Sequence, residues 1–307
     1  MQLIKKKMEE YHNPVLLHES VDGMDIKGDE ICVDVTFGGG GHSKEILKRL
    51  GKEGKLFGFD QDKDAERNAL PDDRFELVKQ NFRYLKNFLR FHQAVPVDCI
   101  LADLGVSSHQ FNEGERGFSI RFEGPLDMRM NQSGDLTAAD IINKYTEQDL
   151  IRIFKEYGEV RNAQKLVFEI INTREAGPIT RTQELIEIIE DCVPGKFRNK
   201  YLAQVFQALR IEVNDEMAAL KDLLTQSYEV LKPGGRLVVI TYHSLEDRLV
   251  KNFFKKGKFE GELEKDFFGN PQLRFKQINR KPIVPSDEEL KINNRARSAK
   301  LRVGEKL

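Results

Sequence analysis

Short apolar, β-branched runs alternate along the first third of the chain with segments whose apolar positions recur every three or four residues. "EICVDVTF" (30–37) reads as a buried strand. "HSKEILKRL" (42–50) follows at helical spacing, with Ile46, Leu47 and Leu50 on one face. "GKLFGFDQD" predicts a second strand that ends in carboxylates, "RFELVKQNF" a third and "VDCILADLG" a fourth. Helical pieces lie between them. Strands alternating with helices predict a parallel, doubly wound α/β sheet.

From about Phe111 to Gln204 that rhythm stops. "GDLTAADIINKYTEQDLIRIFKEYGEV", "AQKLVFEIINT" and "RTQELIEIIEDCV" all read at helical spacing. A single long helix is predicted over "YLAQVFQALRIEVNDEMAALKDLLTQSYEVL", stopped by "KPGG". "RLVVITYHS" then predicts a fifth strand and "SAKLRV" a last one. The expected organisation is a discontinuous core of residues 1–112 and 205–307, with an all-helical insert over 113–204. An insert of that length with its own structure points to substrate recognition.

Charge adds one asymmetry. The 307 residues carry a net charge of −1, yet from Lys251 onward 15 Lys and Arg stand against 8 Asp and Glu. A basic stretch on a mildly acidic body suits contact with a polyanion. No apolar run of about 18 residues is present, so no membrane span is expected. "MQLIKKKMEEYHNP" lacks the apolar stretch of a secretory signal. Cys32, Cys99 and Cys192 are far apart and form no CxxC pair. This argues for a reducing, cytoplasmic setting and against a disulfide framework or a cysteine-rich zinc site.

The candidate chemistry begins at "VDVTFGGGGHSKEIL". A phosphate-binding P-loop would need GxxxxGK[ST], which Ser43-Lys44-Glu45 does not supply. A dinucleotide fingerprint starting at Gly38 would need Gly or Ala at position 43, where Ser43 stands. The methyl-donor loop of S-adenosylmethionine enzymes needs only small residues, so that backbone can approach the ligand. Asp60, 22 residues after Gly38, ends the second predicted strand and could accept from ribose hydroxyls. Phe82 follows the third strand, where an aromatic can lie on an adenine. Asp103 ends the fourth. Ligands of open α/β sheets bind outside these carboxyl ends.

Seven blocks, "HNPVLLHES", "DVTFGGGGHS", "DLGVSSHQ", "RGFSIRFEGPLDMRM", "QALRIEVNDE", "YHSLEDR" and "NNRARSAKLRV", occur in order from about His12 to Val303. Together they resemble the bacterial 16S ribosomal RNA cytosine-N4 methyltransferases, the RsmH/MraW family. The resemblance implies a Rossmann-like class I S-adenosylmethionine-dependent methyltransferase core with an inserted all-helical domain. It implies methylation of the exocyclic N4 amine of a cytosine in the decoding region of 16S rRNA within the small ribosomal subunit. Donor-binding positions carried over are Gly40, Gly41, His42, Asp60, Phe82, Asp103 and Gln110. His109 departs from the proline expected in the fourth-strand block.

A sulfonium methyl needs no metal, but a cytosine amine needs an acceptor for its N–H. Asp103 or a backbone carbonyl of "DLGVSS" could serve, with Ser107 and Ser108 nearby in sequence. The catalytic residue stays open, with Asp103 and His243 as candidates. His243 and Ser244 are candidates for the cytosine pocket. Methylation at cytosine C5 would need a Cys nucleophile, and Cys99 lies inside an apolar run. Arg295, Arg297, Lys300 and Arg302 are candidate phosphate contacts, with Arg116, Arg121 and Arg129 behind them. Two other classes stay open: an RNA-binding assembly factor without turnover, and an NAD-dependent oxidoreductase. The oligomeric state, homodimer included, is not fixed by the sequence.

Overall fold

The computed structural model describes residues 14–193 and 195–307. The N-terminal "MQLIKKKMEEYHN", with His12 and Asn13 of the first signature block, lies outside the described residues. The described residues form two compact units, one from residues 14–105 and 218–307, the other within 106–217. The sequence expectation put these boundaries at 112/113 and 204/205. No helix among the described residues is long and apolar enough to cross a membrane.

The first unit holds one seven-stranded sheet, ordered β3-β2-β1-β4-β5-β7-β6. Its strands are β1 (Ile31–Asp34), β2 (Lys55–Phe59), β3 (Phe75–Val78), β4 (Val97–Asp103), β5 (Leu231–Thr241), β6 (Phe275–Gln277) and β7 (Lys300–Lys306). β1 to β5 pair in parallel, and β7 pairs antiparallel to β5 and β6. The central strands read as unbroken apolar runs because both faces are covered. Cys32, Val33, Ile100, Leu101, Val238 and Val239 are all fully buried. The helix Gly41–Arg49 turns Ile46, Leu47 and Leu50 into this core.

Between β1 and β4 the strand order reverses, and there the main chain splits its bonds. Val35 N–H donates to the Leu101 carbonyl of β4 at 2.9 Å, and Phe37 N–H to the Phe59 carbonyl of β2 at 2.9 Å. The chain after β1 therefore opens a crevice at the carboxyl ends of the parallel strands.

Helices fill the second unit: Ala138–Lys144, Glu147–Glu156, Ala163–Ala176, Thr182–Glu190 and Arg198–Asn214 are its longest. Its core is its own, with Phe154, Leu166, Val167, Ile170, Leu185, Ile189, Leu202 and Leu209 among the buried residues. The irregular stretch "RGFSIRFEGPLDMRM" is anchored to these helices. Asn214 accepts from Met130 N–H at 2.7 Å and donates to the Met128 carbonyl at 2.8 Å. Asp127 grips Arg129 through two carboxylate oxygens at 2.9 and 2.6 Å.

Three sequence expectations change. The long helix over 201–231 is two helices, Arg198–Asn214 and Glu216–Val230, parted at Asp215, whose φ is 48°. An aspartate tolerates that left-handed turn better than most side chains, and apolar periodicity does not register it. "KPGG" does end the helix, but it also enters β5, whose register against β4 jumps from Val97↔Leu231 to Cys99↔Arg236. β6 and the helix Leu17–Gly23 were not expected, being too short to show a period.

Gly124 tests how tightly the irregular stretch is held. A Cβ there would meet the Gly114 carbonyl oxygen at 2.0 Å, and backbone cannot swing aside as a side chain can. Gly124→Ala is expected to destabilise the protein by about 2 kcal/mol or more, read by thermal or urea denaturation. Wild-type stability would show that this loop yields.

Candidate active site

The glycine turn is built from its ends inward. Gly40 adopts φ 72°, a left-handed conformation suited to glycine, and starts the helix Gly41–Arg49 without any side-chain cap. A Cβ on Gly41 would lie 2.3 Å from Pro14 Cγ. No N-cap side chain engages the first turn of that helix, where the helix dipole favours an anionic group. Two partners brace the turn: Gly38 N–H donates to Asp60 Oδ2 at 2.8 Å, and Asn68 Nδ2 donates to the Gly38 carbonyl at 3.0 Å.

Asp60 itself follows directly on β2. Its other oxygen accepts from Asp62 N–H at 2.8 Å. Burial pushes its carboxyl up to about 6, against the lowering effect of the Asp62 and Gly38 amides. A carboxylate has about four acceptor positions, so two amide bonds leave capacity for ribose hydroxyls. Phe82 opens a short 3₁₀ turn after β3. That turn is tied to the loop after β2, because Asn81 Nδ2 donates to Gln61 Oε1 at 2.9 Å.

A second polar chain crosses the strand reversal. Asp34 is buried at the end of β1, and its carboxyl is raised by that burial. Ser43 Oγ donates to it at 2.7 Å and Thr36 N–H at 3.1 Å. Thr36 Oγ1 in turn accepts from the Asp103 main-chain N–H at 2.7 Å. Asp103 Oδ1 accepts from the Tyr242 hydroxyl at 2.7 Å, and Oδ2 lies 3.8 Å from His42 Nδ1. His42 Nε2 stands 3.1 Å from the Val15 carbonyl, which can only accept, so that nitrogen carries the hydrogen. One edge of the sheet therefore gathers the turn Gly38–Gly41 with His42, Asp60 and Asp103, and the turn carrying Phe82 is tethered beside it.

The sequence profile of the MraW methylase family matches residues 9–307. The chain belongs to the MraW methylase family. The protein called ribosomal RNA small subunit methyltransferase H in Flavobacterium johnsoniae is 64% identical over 298 residues, covering 97% of this chain and 98% of that one. Its namesake in Bacteroides thetaiotaomicron is 60% identical over 296 residues, covering 96% and 97%. Among solved structures, an rRNA methylase from Streptococcus thermophilus aligns at 14% identity with a TM-score of 0.43, over 96% of this chain and 99% of that one.

Other candidate residues of this MraW methylase fall elsewhere. Gln110 belongs to the helical unit, where Ser107 and Gln110 cap the helix Ser108–Asn112 reciprocally. His109 sits in that helix's first turn without disturbing it. His243 caps the helix Ser244–Lys256 in a box with Glu246, its Nε2 being 3.1 Å from Glu246 Oε1. Ser244 is the exposed first residue of the same helix. Arg302 is buried and donates to Asp247 at 2.7 Å, and Lys300 reaches the same carboxylate at 3.3 Å. Arg116 is buried too and donates to the Arg129 and Met130 carbonyls, both at 3.0 Å. These arginines, with Arg129, are structural. Arg121, Arg295 and Arg297 are exposed. Asp34, Thr36 and Tyr242 were missed as site residues, since a short polar side chain in an apolar run carries no signal of its partner.

Asp60 as ribose acceptor has a pH signature. Hydroxyls donate to the ionised carboxylate, which predominates above about pH 6 and is lost below it. Affinity for S-adenosylmethionine should therefore fall as pH drops through 6, and Asp60→Asn should flatten that dependence. Asp60→Ala should weaken binding at pH 7.5 by at least tenfold, since bonds to a charged group contribute about 1.5–3 kcal/mol each. Calorimetry giving unchanged affinity in a folded Ala variant would remove Asp60 from the site.

Proposed function

We propose that the protein transfers the methyl group of S-adenosylmethionine to the exocyclic N4 amine of a cytosine in the decoding region of 16S rRNA. The single observation that carries the reading is a family match over residues 9–307 whose glycine turn, Asp60 and Asp103 meet at one sheet edge. The near-identical length and the names of the relatives support a small-subunit rRNA substrate.

The residues suit this transfer. The N4 nitrogen attacks the methyl carbon, the S–C bond breaks with its electrons going to sulfur, and one amine proton leaves. Attack must come in line with the S–CH3 bond, which is chiefly a matter of placement. The cytosine amine is a weak nucleophile because its lone pair is delocalised into the ring. A carboxylate accepting its N–H restores electron density, and Asp103 is the acid at the end of β4 for that task. A covalent route through C5 has no nucleophile here. Cys99 is buried between strands and its thiol is pushed well above the usual range by that burial. Cys32 and Cys192 are buried as well. The base must leave its stack to meet the donor.

The substrate reading extends to the assembled particle. The helical unit, residues 106–217, carries 14 Lys and Arg against 19 Asp and Glu. That is the opposite of the single-sign basic field with which a protein grips bare RNA. A target whose shape is fixed on the small subunit needs fewer phosphate contacts.

Labelled donor, small subunits from cells lacking the enzyme, and mass mapping of the modified nucleoside test the assignment directly. Donor binding without N4-methylcytidine would favour an assembly factor. Turnover on 30S particles should exceed turnover on purified 16S RNA at matched salt, and equal rates would exclude the particle requirement. Asp103→Asn should lower kcat by more than it lowers donor affinity; equal losses would restrict Asp103 to donor binding.

A further inference from the structure

Tyr242 stands at the carboxyl end of β5, the strand next to β4, and its ring is packed against the turn after β4, with Cδ2 near Gly105. Its hydroxyl donates to Asp103 Oδ1 at 2.7 Å. Burial first, and then the Asp103 carboxylate, push the phenol well above the usual range, so across the working pH range the group remains an O–H donor. Its backbone is fixed as well, because Tyr242 N–H donates to Glu246 Oε2 at 2.8 Å from the helix Ser244–Lys256. We propose that Tyr242 is a positioning residue for methyl transfer, fixing through this bond the plane of the Asp103 carboxylate that receives the cytosine amine.

The geometry gives the reason. Asp103 is the last residue of its strand, and its side chain is 22% exposed. A carboxylate at that exposure rotates unless something holds it. The main chain is anchored by Thr36, which accepts the Asp103 N–H but leaves the side-chain torsions unset. The phenol holds one oxygen, and the other then lies on the His42 side, 3.8 Å from Nδ1. An in-line transfer is sensitive to an acceptor displaced by about 1 Å. Among the charged groups that bear on this pair are His42 from the helix Gly41–Arg49, Glu246 from the helix Ser244–Lys256 and Glu289 from the helix Asp287–Ile292. Tyr242 enters the block "YHSLEDR" only as a neighbour of His243.

This inference rests on Asp103 serving the amine, so its test includes that residue. Tyr242→Phe keeps the ring and deletes the oxygen. Wild type, Tyr242→Phe, Asp103→Asn and the double variant are compared on small subunits lacking the methyl group. For Tyr242→Phe we expect kcat to fall tenfold or more while the KM for S-adenosylmethionine changes less than twofold. The acid limb of the kcat profile should move to higher pH, because the carboxylate has lost a donor that favours its ionised form. In the Asp103→Asn background the same change should have little further effect, as a residue acting through another must. Additive losses in the double variant, or an unchanged kcat and pH profile in Tyr242→Phe, would overturn the proposal. No methylation by the wild type would overturn the functional reading instead. Circular dichroism and donor calorimetry on each variant separate a folding defect from either result.

Discussion

Two parallel strands that part company must still be held where they part. In this protein the holding is done by a buried carboxylate and one threonine hydroxyl. Asp34 closes β1 in an environment that disfavours its charge, and it is retained because Ser43 and Thr36 donate to it. Thr36 passes the constraint to β4 through the Asp103 amide. A buried polar group costs little only when its bonds are complete. The glycine turn therefore has one stable course, and the positions of the helix Gly41–Arg49, His42 and Asp103 all follow from it.

The helical unit obeys a different logic. It brings its own apolar core, and the chain crosses between the two units twice. Closing a loop over an inserted unit costs only a slowly growing entropy. What the unit must supply is rigidity in its irregular first stretch. It does so with side chains that bond to backbone: Asn214 to Met128 and Met130, and Arg116 to residues 129 and 130. The signature block ending in "GPLDMRM" is thus held by side chains of its own unit, whereas "DVTFGGGGHS" forms the turn after β1 at the carboxyl edge of the sheet.

Much of this was legible along the chain. The five parallel strands were readable because strands covered on both faces become continuous apolar runs, and the helical stretch because its period changes. Asp60 and Asp103 were readable as carboxylates ending such runs. What stayed hidden was mutual. That Thr36 joins β1 to β4, or that Tyr242 meets Asp103, is a pairing across 67 or 139 residues, and one sequence contains no record of it. The basic residues misled for the same reason. Arg302 and Arg116 carry charge in the sequence, but burial and carboxylate or carbonyl partners spend it inside the fold. Asp215 broke a helix whose apolar spacing runs on through it.

The antiparallel strand β7 has a consequence for how the chain is made. It lies between β5 and β6, yet it is synthesised after both. Until it emerges, β5 presents an open row of main-chain donors and acceptors, and the three residues of β6 have no strand to join. An apolar edge left unpaired is a template for association with other chains. While a nascent chain waits at that stage the apolar half of β5, "LVVIT", stands at the border of an unfinished sheet. In the interval between making β5 and making β7 that edge is open to pairing with other chains.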